Sequence, residues 1–122
     1  MSAASLRLFV SLTRQQLDLE RDGRVVARFP VSTSRHGPGE RRGSLCTPRG
    51  LHVVRARIGN GLPEGTVFRG RRPTGEVWTP ELAARHPGRD WILSRILWLG
   101  GREPGRNRGG DVDSMARYIY IH

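Results

Sequence analysis

Two residues of this sequence, one cysteine and one histidine, have side chains suited to nucleophilic catalysis. His122 ends an alternating run, Arg117-Tyr118-Ile119-Tyr120-Ile121-His122, which is typical of a core β-strand. A strand that ends in a potential base forms one half of an active site, so we expect His122 to act as a general base. Cys46 is the only cysteine. Its segment shows neither a helix N-terminus nor a glycine-built oxyanion hole, which favours a small apolar filler over a nucleophile.

The other three histidines fit structural roles. His36 and His86 lie beside glycine or proline in loop-like segments, where a solvated histidine is the usual case. His52 falls on the presumed inner face of a strand, which favours a hydrogen-bonded core histidine over a catalytic one. No two histidines have the spacing of metal ligands on one helix turn, and no carboxylate pair is spaced for acid–base catalysis. We therefore predict neither a metal site nor an organic cofactor.

The composition predicts a mostly β fold. Sixteen glycines, eight prolines and 7% aromatic residues favour many short elements joined by tight turns. Asp22-Gly23 lies between two apolar runs and predicts a β-hairpin. Further strands are predicted over residues 51–58, 66–68 and 92–99. In the first of these, alternation places His52, Val54, Ala56 and Ile58 on the core side.

One short helix and two turn-rich segments complete the pattern. Thr79 can cap a helix that begins at Pro80, and His86-Pro87-Gly88 ends it within about two turns. Residues 59–75 are predicted to be mostly turn, and residues 105–110 a flexible basic loop. The length of 122 residues, without internal repeats, indicates one domain over residues 1–122.

The strong positive charge suggests nucleic-acid binding, but its distribution argues against it. The formal net charge is +10, and all 21 basic residues are arginine. The absence of lysine indicates a codon bias acting along the chain instead of selection for a phosphate-binding face. The aromatic residues form no obvious stacking platform. A non-catalytic, arginine-rich module that binds nucleic acid or an acidic wall polymer remains the alternative function, and a strong salt dependence of binding would distinguish it.

The sequence shows no export or membrane segment. The N-terminus, Met1 to Val10, lacks a cationic start followed by an apolar block and a small-residue cleavage site. The most apolar stretch, Trp91 to Leu99, is far shorter than the roughly 20 residues that span a bilayer. A single cysteine excludes an internal disulfide framework, so nothing in the sequence requires an oxidising compartment.

Four segments, in a fixed order, carry a resemblance to a known family. They are Leu17 to Val26, Val31 to Ser34, Thr47-Pro48-Arg49-Gly50 ahead of a strand, and Tyr118 to His122. Together they resemble the N-terminal part of the L,D-transpeptidase catalytic domain, the YkuD-like family. The resemblance extends from about residue 15 to residue 122, nearly the whole chain.

The resemblance implies an L,D-transpeptidase-like β-sandwich with one short helix. It also implies an enzyme of peptidoglycan, a cysteine acyltransferase. In the family a thiolate attacks the bond between a diaminopimelate-type third residue and a terminal D-alanine of a stem peptide, and an amine acceptor resolves the acyl-enzyme. A histidine serves as base and backbone amides stabilise the oxyanion. The implied partners are peptidoglycan stem peptides, the implied location is the cell envelope or periplasm, and no cofactor is implied.

The sequence departs from the family after the histidine. The family places a Ser-x-Gly-Cys-x-Arg motif with the nucleophile beyond it, and only His122 matches a catalytic position here. Cys46 precedes the Thr-Pro-x-Gly segment and cannot take that role. We therefore expect a C-terminally incomplete domain that is inactive as given and exposes a strand edge prone to association. A shortened sequence, a disrupted gene and a chain that needs a complementary partner fit equally well.

Overall fold

The computed structural model describes residues 5–122 and forms three antiparallel sheets of three strands each. The prediction of a mostly β fold is confirmed. Met1 to Ala4, which enter the prediction about an export signal, lie outside the described residues. The elements are β1 (Leu6–Ser11), β2 (Gln16–Arg21), β3 (Arg24–Pro30), β4 (His52–Ile58), β5 (Thr66–Arg69), β6 (Arg72–Val77), α1 (Pro80–Arg85), β7 (Ile92–Leu93), β8 (Ile96–Gly101), a short 3-10 turn (Gly110–Val112) and β9 (Tyr120–Ile121).

The first sheet has the order β1-β2-β3 and contains the predicted hairpin. Asp22 and Gly23 both have positive φ, 50° and 81°, the conformation that a two-residue turn needs to match the twist of its strands. One face carries apolar residues in register, with Val10, Leu17 and Phe29 forming one row. Leu17 is only 7% exposed, whereas Phe29 is 50% exposed. Part of this apolar face is therefore open to solvent, and the association expected from the sequence stays a prediction.

The segment predicted as one strand over residues 92–99 is two strands in different sheets. Ser94 has φ 65°, so the chain leaves the extended conformation there. Leu93 of β7 pairs with Val67 of β5, while Ile96 of β8 pairs with Ile58 of β4. The single-strand prediction was wrong because nothing local in the apolar run marks the change of sheet. The resulting sheets have the orders β6-β5-β7 and β4-β8-β9.

A strand was also missed within the segment predicted to be mostly turn. Arg72–Val77 forms β6, which returns along β5 after the two-residue turn Gly70-Arg71. The strand contains a proline and a glycine, Pro73 and Gly75, which normally indicate turns. In β4 the predicted core face is right for His52, Ala56 and Ile58 but wrong for Val54. The register shifts between Val54 and Ala56, and this irregularity leaves Val54 38% exposed.

The helix forms where the sequence predicts it. The Thr79 hydroxyl accepts a hydrogen bond from the Leu82 amide at 3.0 Å, and Pro80 occupies the first turn. The first amide groups of a helix have no partners within the helix. The Thr79 hydroxyl provides a partner for one of them, and Pro80 has no amide hydrogen that needs one. Among residues 5–122, no helix has the length and apolar character needed to cross a bilayer.

The smallest exposures among the apolar residues belong to Val67, Phe68 and Ile96, at 1%, 4% and 0%. Val67 and Phe68 lie on β5 of the third sheet, and Ile96 begins β8 of the second sheet. Burial of these side chains from water stabilises both sheets.

Two valines of the same hairpin test this assignment of the core. Val67→Ala should lower the free energy of unfolding by about 2 kcal/mol, because it removes two buried methyl groups and leaves a cavity. Val77→Ala is the matched control, since Val77 is 47% exposed. It should lower the free energy by less than about 0.5 kcal/mol. Urea unfolding followed by circular dichroism gives both values, and equal losses would contradict the assignment.

Candidate active site

His122 lies directly after β9, whose pairing with β8 fixes it in the second sheet. Tyr120 is opposite Trp98 and Ile121 is opposite Leu97, and the Leu99 amide donates to the Ile119 carbonyl at 2.9 Å. His122 itself is exposed. The structure thus places the histidine at the end of a short, paired strand.

The terminal strand is shorter than the sequence pattern predicts. Arg117 and Tyr118 belong to a turn, and Tyr118 has φ 57°. The Ile119 amide donates to the Ser114 carbonyl at 3.2 Å, which closes that turn before the strand starts. The prediction of a strand over the whole run from Arg117 was therefore wrong in its first half. The alternation of polar and apolar residues begins by coincidence within this turn, so the pattern alone does not show where the strand starts.

Asp113 holds the start of this turn through its carboxylate. Oδ1 accepts from the Ala116 amide at 2.9 Å and Oδ2 accepts from the Gly109 amide at 2.7 Å. These hydrogen bonds, above all that from Ala116, lower the pKa of the Asp113 carboxyl below its ordinary value. The charged form is therefore favoured by folding. The carboxylate joins the turn before β9 to the loop that precedes it.

Replacement of Asp113 tests the link between this carboxylate and the terminal segment. At pH 7 Asp113→Asn should lower the free energy of unfolding by about 1 kcal/mol, because charge-assisted hydrogen bonds are lost. A carboxyl whose pKa is lowered by folding stabilises the fold at pH values above its pKa in the unfolded chain, about 4. This stabilisation disappears as the pH falls through the pKa of the folded state. The difference between wild type and variant should therefore vanish in acid.

Urea unfolding at pH 7 and at pH 2.5 measures this difference. Asp111→Asn is the control, because it removes the same charge from an exposed residue two positions away. It should leave stability almost unchanged at both pH values. A loss for Asp113→Asn that persists in acid would show that the charge is not the cause.

Asn107 is fully buried and connects three separate backbone segments. Its amide nitrogen donates to the carbonyls of Arg49 and Leu51, each at 3.0 Å, and its Oδ1 accepts from the Glu103 amide at 2.9 Å. Its own carbonyl accepts from the Ser114 amide at 2.9 Å. The predicted loop over residues 105–110 is present and mostly exposed, but its centre, Asn107, is 0% exposed and held by hydrogen bonds, which the sequence did not predict.

The Asn107 network explains why glycine follows Thr-Pro-Arg. Gly50 has φ 92°, and a Cβ there would collide with the Glu103 carboxylate. That carboxylate accepts a hydrogen bond from the Leu51 amide at 2.7 Å. Gly101, at the end of β8, is equally restricted, because a Cβ there would collide with the Asn107 backbone. The Thr-Pro-Arg-Gly segment is thus packed against the loop that leads toward His122.

A comparison of the two asparagines tests the importance of this network. Asn107→Ala should lower the free energy of unfolding by about 3 kcal/mol, because it leaves buried carbonyl and amide groups without partners. It should also shift the NMR signals of Thr47 to Leu51 and of residues 114–122. Asn60→Ala is the control, because Asn60 is exposed in a turn. Similar effects of the two substitutions would contradict the structural role of Asn107.

His52 is held as the sequence predicts for a structural histidine. Its Nδ1 lies 3.0 Å from the Gly50 carbonyl and its Nε2 lies 2.7 Å from the Ser114 hydroxyl. A carbonyl can only accept, so Nδ1 carries the proton and Nε2 accepts from the hydroxyl in the neutral ring. Ser114 is 0% exposed, so this serine–histidine pair has no access to a substrate. His52 instead connects β4 to the turn before β9.

Cys46 is half-buried and lies in the loop after β3, where the sequence places it. Its Sγ is 3.4 Å from the His36 carbonyl and 3.6 Å from the Ser44 carbonyl. Arg117 holds this loop by donating to the carbonyls of Glu40, at 3.1 Å, and Cys46, at 2.8 Å. Among the described residues no hydrogen bond joins Cys46 to His122. The structure does not bring the cysteine and the histidine together.

A cluster of one arginine and three aromatic rings lies beside β9. We call Arg71, Trp98, Tyr118 and Tyr120 the Arg71 cluster. The Arg71 guanidinium carbon is 5.0 Å from the centre of the Trp98 ring and 4.8 Å from that of the Tyr118 ring. Its Nη1 donates to the Tyr120 hydroxyl at 3.3 Å, and this bond raises the pKa of Arg71. Sequence analysis missed the cluster, because its members are brought together only by the pairing of β8 with β9 and the turn after β5.

The remaining candidates have no shared site. His36 is exposed in a loop, and His86 ends α1 with its ring edge-on to Trp91 at 6.5 Å. Within residues 5–122, no three side chains of histidine, cysteine, aspartate or glutamate are grouped to hold a metal ion. The structural neighbours of His122 in the second sheet are therefore β9 and β8, with Tyr120 of the Arg71 cluster two residues before it.

Comparison with known proteins identifies the family. The sequence matches the family model of the L,D-transpeptidase catalytic domain, YkuD, over residues 5–122. Comparisons with curated proteins and with solved structures gave no match. The matched range covers both the Thr-Pro-Arg-Gly segment and the strand before His122. The chain therefore belongs to the family of L,D-transpeptidase catalytic domains.

Proposed function

We propose that this domain takes part in cysteine-dependent acyl transfer on peptidoglycan stem peptides, with His122 as the general base. The family acts on peptidoglycan peptides. The observation that supports the role of His122 is its place directly after β9, which is paired with β8, within the range that matches the family. The fixed pairing of β9 gives the imidazole a defined place in the sheet, as proton transfer requires.

The proposed reaction has two acyl-transfer steps. His122 accepts the proton of a cysteine thiol, and the thiolate attacks the carbonyl carbon between the third residue and the terminal D-alanine. The tetrahedral intermediate collapses, the protonated histidine returns its proton to the amine, and D-alanine leaves. An amine acceptor then attacks the thioester and releases the thiol. A general base of this kind contributes roughly 10²-fold to 10⁴-fold in rate.

The thiol of this reaction is not Cys46. Its sulfur lies against the carbonyls of His36 and Ser44, in a loop held by Arg117. The family's nucleophile lies in a Ser-x-Gly-Cys-x-Arg motif that residues 1–122 do not contain. These residues therefore supply the base and its supporting sheet, and by themselves they should not turn over a substrate. No observation on the described residues favours the alternative of an arginine-rich binding module.

An acyl-transfer assay tests both parts of the proposal. The 122-residue chain, mixed with a stem tetrapeptide and an amine acceptor, should release no D-alanine, as measured by mass spectrometry. Cys46→Ala should behave identically, and turnover that depends on Cys46 would contradict the assignment of the nucleophile. Reading the coding DNA after the His122 codon would show whether Gly and then Ser-x-Gly-Cys-x-Arg follow in any frame. In a chain that contains this motif, His122→Ala should lower kcat/KM at least about 100-fold with little change in KM.

A further inference from the structure

The Arg71 guanidinium is held rigidly but uses few of its hydrogen-bond donors. A guanidinium has five N–H donors. Among residues 5–122, its one described hydrogen bond is that from Nη1 to the Tyr120 hydroxyl. The four ion pairs of the described residues involve Arg28, Arg49, Arg89 and Arg106, and Arg71 takes part in none of them. Arg71 thus keeps its charge and most of its donors available to a ligand.

Two aromatic rings lie close to the Arg71 guanidinium. The centres of the Trp98 and Tyr118 rings are 5.9 Å apart, which is more than either distance to the guanidinium carbon, 5.0 Å and 4.8 Å. The three points form a nearly equilateral triangle, so the guanidinium lies beside both rings and is not sandwiched between them. One side of the group remains uncovered by the cluster. Trp98 is itself held by a hydrogen bond from Nε1 to the Met115 carbonyl at 3.1 Å.

The backbone at Arg71 is unfavourable for an arginine. Gly70 and Arg71 form the two-residue turn between β5 and β6, with φ values of 56° and 65°. Such turns favour asparagine or glycine at both positions, because a side chain at positive φ costs of order 1 kcal/mol. An arginine therefore occupies a position where the turn alone would favour another residue.

The cluster lies next to the proposed reaction centre. Tyr120 and His122 are two residues apart along an extended segment, so their Cα atoms are separated by about 7 Å. Side chains at alternate positions of an extended segment project to the same face, so Tyr120 and His122 share one face. Because Arg71 donates to the Tyr120 hydroxyl, the guanidinium also lies on that face.

We propose that Arg71, placed by Trp98, Tyr118 and Tyr120, binds a carboxylate of the peptide substrate. A planar guanidinium with free donors matches a carboxylate in a bidentate arrangement, and the pair is strengthened by charge. The identity of the peptide rests on the proposed function. Two carboxylates of a stem tetrapeptide have the required chemistry, that of the terminal D-alanine and that of the diaminopimelate side chain.

Calorimetric titration of the 122-residue chain with three peptides tests the proposal. The peptides are the stem tetrapeptide, the same peptide with its terminal carboxylate amidated, and the same peptide with the diaminopimelate carboxylate amidated. One of the two amidations should weaken binding about 10-fold, because it removes the charge that Arg71 binds. The amidation that does so identifies which carboxylate is recognised.

Variants of two neighbouring arginines show whether the preference for a carboxylate depends on Arg71 itself, on positive charge in general or on an intact fold. Arg71→Met should remove the preference for the carboxylate over its amide. Arg72→Met, which removes an exposed arginine of the same hairpin, should keep it. Arg71→Lys should fold with the charge retained and show a reduced preference, because lysine lacks the bidentate geometry. Thermal unfolding of each variant shows whether the hairpin is intact.

Three results would overturn the proposal. They are equal binding of all three peptides by the wild type, equal effects of Arg71→Met and Arg72→Met on the preference, and no binding of any peptide at millimolar concentration. None of these results depends on catalysis, because binding is measured without turnover. Conversely, the carboxylate preference could require Arg71 while the coding sequence lacks the cysteine motif. That result would contradict the proposed acyl transfer and leave the proposal for Arg71 standing.

Discussion

The burial of one amide side chain determines how the loops of this domain are arranged. Asn107 has no contact with solvent, and every polar atom of its side chain has a partner in another segment. An amide buried in this way stabilises the fold only while all its hydrogen bonds are made, because each unpaired group costs about 1–3 kcal/mol. The segment before β4 and the segment before β9 must therefore keep the same relative position whenever the protein is folded.

His122 is positioned by two independent sets of contacts. Backbone pairing with β8 sets its strand, and side-chain contacts from Asp113, Arg117 and Ser114 set the turn that leads to the strand. A histidine at the end of a two-residue strand would otherwise have little to hold it. The turn also gives Tyr118 its positive φ, which directs its ring toward Trp98 and Arg71. The same turn thus orders both the strand that leads to His122 and the aromatic rings of Tyr118 and Trp98.

Local features were predictable from the sequence, and non-local ones were not. The Asp22-Gly23 hairpin and the Thr79-capped helix depend on residues within a few positions of one another, so the sequence alone is sufficient. The burial of Asn107 depends on carbonyls more than 50 positions away, and its glycine-rich and arginine-rich neighbours are typical of an exposed loop. The residues of the candidate site also fall into a predictable and an unpredictable group. His122 was predictable from a strand pattern and a family resemblance, whereas Arg71 joins the site only through strand pairing.

The change of sheet at Ser94 has a mechanical consequence for the hairpin of β5 and β6. The base of the hairpin is hydrogen-bonded to Ser94, which links β7 to β8: the Ser94 amide donates to the Thr66 carbonyl, and the Ser94 hydroxyl accepts from the Gly65 amide. At its opposite end, the hairpin contacts β8 through Arg71 on Trp98. A segment attached at both ends cannot swing about either one alone. Motion of the hairpin is therefore coupled to β8, the strand that pairs with β9.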